Sequence, residues 1–528
     1  MKLSIPCAVL LLGAVSVSLA AGMDPLSKVN RLPPSLEQKA QDLRADLEHK
    51  GYEVARGYWA LWSEDDCKYP IRTLGNCYGN NPSAPYALAF LPHWKDEFAD
   101  QSLHHALTEA RRGMSANYRL GEREALVVLA ELPPAARYFG IQTNVFTRET
   151  SLNPADPIYQ SVSDPLLRGI LFGTSPNPSR MMMVASIGNS TNNVVIQGQS
   201  EAVWGQQRFF VITSDAGMAD AMTEALEKAG VDKDHVFTEP VSRDLVRLGY
   251  DPAADDLITY IRYALPDDPE QGDQWRKQLP LTVLRVRGEG GPLDPFPIPE
   301  YMNKEGNVNY DETQLEGDLK AIRDAVRQYW NPSCNPAEEQ TCPPAVSLFS
   351  ATRVLDLLGQ HCLGHPDKDR GPMNCVGDSQ DADYQLSQSL HIDNGEVIAV
   401  VGTLGTETGN ATYTSLSVNR FPLLMGVESI DDDKLKGSAV QFTGVVPDPS
   451  KFYVYYLARD CSGLSPWCFE IPRQLVPQGE TIKVIQRNYV NPGSTVGPDP
   501  TKVLNPVTIV LDGRHRPTVP PVTSRASR

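Results

Sequence analysis

Eight of the nine cysteines in this 528-residue chain fall as four close couples: Cys67 and Cys77, Cys334 and Cys342, Cys362 and Cys375, Cys461 and Cys468. Each couple is tight and lies far from the next, so nearest-neighbour disulfides are predicted. Each bridge would close a loop of roughly 7 to 14 residues and contribute on the order of 2–3 kcal/mol by restricting the unfolded chain. Thiolate metal ligation needs C-x2–4-C spacings, and no couple has one. Four stapled loops belong to an oxidising compartment.

The N-terminus agrees. "MKLSIPCAVLLLGAVSVSLAAG" carries Lys2, an apolar run from Ile5 to Val17, and small residues at Ser18 and Ala20. This is the grammar of a secretory signal peptide over residues 1–20, with an apolar core too short for a membrane helix. Cys7 lies inside it. The mature chain is therefore expected outside the cytosol, secreted, with Asn189 and Asn410 as acceptors if the source glycosylates N-x-S/T sites.

A net charge of −17, from 48 basic and 65 acidic residues without a basic stripe, argues against nucleic acid or an anionic membrane as partner. A small-molecule ligand is the partner that fits.

The length predicts more than one domain. The Pro/Gly-rich connector from Gly288 to Pro299 is read as the boundary between an α+β domain (21–290) and a second domain (300–515), with a disordered tail at 516–528. The expected fold class is α+β: helix-rich and mixed before about residue 330, then antiparallel and β-rich, as a sandwich or barrel-like sheet. Ser35 with Gln38 opens a capped helix, and the helical pattern is read on through "GYEVARGYWALW". Further helices are predicted near 96–112, 255–263, 311–330 and 346–358. Strands are predicted at "ALVVLAEL" and "RYFGIQTNVFTR". A βαβ-like unit is predicted at 208–238, where Ser214 and Gly230 bracket a helix. After Glu396, strands are predicted at "VIAVVGTLG", "NATYTSLSVNRF", "GSAVQFTGVV", "KFYVYYLARD", "ETIKVIQRN" and "VTIVLDG".

None of the local catalytic or nucleotide-binding motifs is present: no G-x-S-x-G, H-E-x-x-H, Walker loop, G-x-G-x-x-G turn or EF-hand loop. No metal and no cofactor is predicted, and the chain resembles no family closely enough to carry residues across. Two stretches hold the candidate chemistry. "HCLGHPDKDRGPMNCVGDSQDADYQLSQSLHIDNGEV" begins at His361. Its first half reads as a disulfide-stapled surface excursion, because Gly364 and Pro366 stop a helix from presenting His361 and His365 together. Its second half places Asp378, Asp381 and Asp383 at a spacing that suits calcium, although an unliganded solvated turn is the simpler reading. Asp381, Asp383 and His391 are the catalytic candidates. A continuous strand from Tyr384 to Ile392 would hold Asp383 and His391 about 26 Å apart. The other stretch is the polar face of the 137–148 strand, where Tyr138, Gln142, Asn144 and Arg148 either line a ligand groove or form a solvated sheet face.

These features support a secreted enzyme of unresolved reaction, a hydrolase or accessory enzyme acting on a small molecule. An extracellular non-catalytic ligand-binding protein is the alternative, and a structural or interaction role the third reading.

Overall fold

The computed structural model describes residues 30–516 apart from 201, 365–372 and 394; the segment predicted as a signal peptide and all but Arg516 of the predicted tail lie outside the described residues. All four cysteine couples are bonded as their spacing predicts. No helix among the described residues is long and apolar enough to cross a membrane.

The first helix, α1 (Pro34–His49), buries Leu36, Ala40, Leu43 and Leu47. It ends just before Gly51, whose φ of 90° reverses the chain. The next element, β1 (Glu53–Trp62), is a strand and not more helix. Tyr58, Ala60 and Trp62 face one core while Trp59 packs into another. A strand buried on both faces loses its apolar–polar alternation, and its period is then easily mistaken. The same cause overturns the 255–263 helix, which is strand.

The main body of the N-terminal part is a twelve-stranded sheet. Its principal members are β1, β2 (Tyr86–Pro92), β3 (Glu124–Glu131), β4 (Ala136–Glu149), β5 (Arg180–Ser186), β6 (Gln207–Thr213), β7 (Val236–Pro240), β8 (Asp256–Pro266) and β9 (Leu281–Arg287), in the order β7-β6-β3-β9-β1-β2-β8-β4-β5. This part is sheet-built rather than helix-rich. α2 (Ala216–Lys228) joins β6 to β7, which pair in parallel as a βαβ unit. The sheet curls, so that Leu126, Val128 and Ala130 of β3 share a core with Phe139, Ile141 and Val145 of β4 near the far edge. α1 and α2 cover the outer face.

The 96–112 segment is a chain of turns, not a helix. The Asp100 carboxylate caps Ser102, and the Trp62 indole donates to the Leu107 carbonyl at 2.8 Å, an acceptor that a helix would use.

α3 (Glu316–Trp330) presents Leu319, Ile322, Val326 and Trp330 on one stripe. At 346–358 the predicted helix shrinks to Ala351–Leu355, preceded by short strands Ala345–Ser347 and Phe349–Ser350. Two further sheets are built from β10 (Ala382–Leu386), β11 (Glu396–Thr403), β12 (Tyr413–Phe421), β13 (Met425–Asp431), β14 (Phe452–Ala458), β15 (Thr481–Tyr489) and β16 (Val507–Asp512). β16-β11-β14 form the centre of a five-stranded sheet, and β10-β15-β12-β13 most of a six-stranded one. Ile398 and Val400 of the first interleave with Leu416, Val418, Ile482 and Val484 of the second, the packing of a β-sandwich. α3 lies on the outer face of the five-stranded sheet. The "GSAVQFTGVV" stretch holds no strand, only the short helical turn Val440–Phe442. The 384–392 strand breaks after Leu386, and Leu390–His391 rejoins β15 further along.

Candidate functional site

Alternation along β15 decides where the chemistry lies. Ile482 and Val484 point into the sandwich, so Lys483, Ile485, Arg487 and Tyr489 project from the opposite face. That face is covered by the first sheet. Tyr138 of β4 and Ala264 of β8 share one apolar cluster with Ala382, Tyr413 and Tyr489. Between the sheets lie two adjoining cavities, of about 60 and 70 Å³. Tyr78, Tyr86, Val376 and Gly377 wall both of them. Lys483, Ile485, Arg487 and Tyr489 all line the second; Tyr260 and Arg262 of β8 line the first.

Three cations line these cavities without an acid partner among the described residues. Arg262 is 4% exposed and donates to the Tyr260 hydroxyl at 2.8 Å and the Tyr384 hydroxyl at 3.3 Å, while its Nε has no acceptor. Arg487 donates to the Ser417 hydroxyl and the Gly79 carbonyl, with its guanidinium 5.7 Å from the Tyr384 ring. Lys483 donates to the Ser387 carbonyl at 3.0 Å and sits 4.7 Å from the Phe421 ring. Burial holds its pKa below the ordinary lysine value, opposed by the distant Asp164. Among the described residues, no carboxylate lies within ion-pair distance of these three.

The rest of the molecule pairs its buried arginines with acids. Arg285 binds Glu97 and Glu124, Arg119 and Arg180 share Asp256, Arg148 binds Asp255, and Arg327 binds Glu339. Arg208 has no acid partner among the described residues but is capped by Ser200 and two backbone carbonyls. A buried charge without its counter-charge costs several kcal/mol, so three lining two adjoining cavities call for an anion. The phenols suit that role. Burial pushes Tyr260 and Tyr384 up to about 12, so both stay protonated as donors near neutral pH.

Of the residues singled out by sequence, the polar row of β4 is enclosed, not solvated. Gln142 stands directly opposite Tyr260 across the β4–β8 ladder, and Gly140 opposite Arg262, so Tyr138, Gln142 and Asn144 share the cavity's face of the sheet, while the register shift after Val145 turns Arg148 to the other face, opposite Met181. Gln142 is 2% exposed and its Nε2 has no acceptor. Asn144 donates to the Val184 carbonyl. Tyr138 donates to Asp381 at 2.8 Å. Arg148 is spent on Asp255 and on the Leu363 and Leu245 carbonyls.

The aspartates do not form a solvated turn; all three are buried. Asp381 accepts from Ser379, Ser190, Tyr138 and Asn192. Asp378 accepts from the Ser186 amide and hydroxyl, the Gly359 amide and Gln380. A Cβ at Gly359 would collide with the Ser186 carbonyl, so only glycine lets that segment dock there. Asp383 accepts weakly from Ser350 at 3.4 Å while its Oδ2 has no hydrogen-bond partner among the described residues, and burial pushes its pKa up to about 6 despite the nearby Lys304. His391 is exposed. Asp383 stands opposite Asn488 and His391 opposite Thr481, which separates them by roughly 24 Å along β15. No cluster of three or more metal-ligating side chains occurs among the described residues. The stapled segment is not a surface excursion at its flanks either: Cys362, Leu363, Met373 and Cys375 pack into the first core. His361 bonds Asp356 at 2.7 Å, and His365 lies outside the described residues.

Asn410 is fully buried, its amide nitrogen donating to Glu312 and the Tyr310 carbonyl, so in this fold it offers nothing to a glycan. Asn189 is half-buried and donates to the Glu300 carbonyl.

No family model matches the chain, and no curated protein does. Among solved structures the chain is similar to that of an uncharacterized protein from Burkholderia cenocepacia, with 11% identity, 91% of this chain and 88% of that chain covered, and a TM-score of 0.39. That likeness settles neither fold nor function.

Proposed function

We propose that this is an extracellular small-molecule-binding protein whose ligand is a small organic anion, held between the curled sheet and the sandwich. The observation that carries the reading is that Arg262, Lys483 and Arg487, buried and without carboxylate partners among the described residues, line two adjoining tyrosine-walled cavities. Arginine recognises carboxylate, sulfate and phosphate through its fork of donors, and a mostly apolar pocket with few polar groups is the usual form of a ligand site. The disulfides and the signal-like N-terminus support a location outside the cytosol.

Binding is favoured over the hydrolase expectation by the cavity's composition. Among the described residues no histidine lines it, and its one carboxylate, Asp378, is occupied by four donors. A general base needs a free lone pair facing the substrate.

The test is a titration of the purified chain with acetate, sulfate and phosphate, followed by tyrosine and tryptophan fluorescence. Saturable binding is expected in the wild type and a loss of at least tenfold in Arg487→Met. Absence of saturable binding by every small anion, organic acids included, would overturn the reading.

A further inference from the structure

The two cavities differ in a way that specifies the ligand. The first is walled by Trp62, Leu88, Leu107, Phe146 and Ile258, and among the described residues its only charged lining residue is Arg262. The second holds Lys483 and Arg487. Arg262 joins them: one guanidinium nitrogen binds Tyr260 on the apolar side, the other Tyr384 on the charged side. Tyr86 belongs to both, and its ring lies 5.6 Å edge-on to Tyr260 and 5.6 Å from Trp62. An inorganic anion would fill only the charged side. A neutral ring would fill only the apolar side.

Resting on the anion-binding reading above, we infer that the ligand is an aromatic carboxylic acid. Its ring lies in the apolar cavity against Tyr86, Tyr260 and Phe146, and its carboxylate reaches past Arg262 towards Arg487 and Lys483. Two features fit. Aromatic walls favour edge-on contact with a further ring. Arg262 Nε, buried and without an acceptor, belongs to the guanidinium that bridges the two cavities through Tyr260 and Tyr384. No bond is made or broken in this step; the ligand is held, not converted.

Isothermal titration of the full-length mature protein decides it, with benzoate, phenylacetate and 4-hydroxyphenylacetate set against acetate, inorganic phosphate and benzyl alcohol. At least one aromatic acid is expected to bind tenfold or more tighter than acetate, phosphate and benzyl alcohol alike. Leu88→Trp and Ile258→Phe each fill the apolar cavity. In whichever variant keeps its wild-type melting behaviour, the aromatic advantage is expected to vanish while acetate or phosphate binding persists. If acetate or phosphate binds as tightly as every aromatic acid, the ligand class is wrong and anion binding stands. If none of these anions binds, the anion-binding reading fails with it. An aromatic advantage that survives both filled variants in folded protein would also overturn the placement.

Discussion

Glu239 shows at the scale of one residue what burial does to a carboxyl group. It accepts two hydrogen bonds from Thr143 and has no ion pair among the described residues, and burial pushes its pKa up to about 7 from an ordinary 4.5. The unfolded chain ionises freely above 4.5 while the folded one resists until about 7. The protonated group therefore favours the fold at low pH, and that advantage is lost as pH rises through 7. Glu239→Gln keeps the shape without the charge. Chemical denaturation should show it more stable than the wild type by about 2–3 kcal/mol at pH 8 and by under about 1 kcal/mol at pH 5. An equal effect at both pH values would mean that Glu239 titrates normally. Asp381 is tied by hydrogen bonds from several elements. With four donors on its carboxylate it acts as a pin between β4 and β10, so Asp381→Ala should cost roughly 2–4 kcal/mol, not the half kcal/mol of a solvated turn. Chelator should leave the melting temperature of the wild type unchanged, because those oxygens are already taken. A chelator-induced drop would restore the calcium reading.

At the scale of elements, legibility tracks burial. α3 is legible directly because only one stripe of it is buried; Ile322→Ala, in the middle of that stripe, should lower stability by about 2–4 kcal/mol in urea titration. A loss under half a kcal/mol would show that α3 is not packed on the five-stranded sheet. β1 and β8 read as helix in sequence because both of their faces meet cores, which removes the two-residue alternation that marks a half-buried strand. Gly57 of β1 carries a packing signal instead: a Cβ there would strike the Phe90 carbonyl of β2. The cysteine couples are legible because each bridge closes a local loop. The polar row of β4 is visible as a row, yet its burial is not, since a face closed by a second sheet looks in sequence like one open to water. β15 hides the site for the same reason. Lys483 and Arg487 alternate with Val484 and Gln486 as the charges of any solvated strand would.

At the scale of the molecule, the site exists only because the two halves of the chain close on each other. Arg262 comes from the curled sheet and Arg487 from the sandwich, and Tyr384 links them, bonded to one and stacked near the other. Tyr138 and Asp381, Asn81 and Tyr413, and Ser83 and Asp431 tie the same seam. No local motif could announce residues brought together over such a separation. An anion bound there would neutralise buried positive charge, so binding should stabilise the whole chain increasingly as ligand concentration rises. The most direct measurement is the melting temperature of the wild type and of an Arg262→Met/Arg487→Met variant across a concentration series of small organic anions. The wild-type midpoint is expected to climb with anion concentration, by the equivalent of about 2.7 kcal/mol at a hundredfold excess over Kd, and the variant's to stay flat. Parallel slopes in the two proteins, or no climb in either, would contradict it.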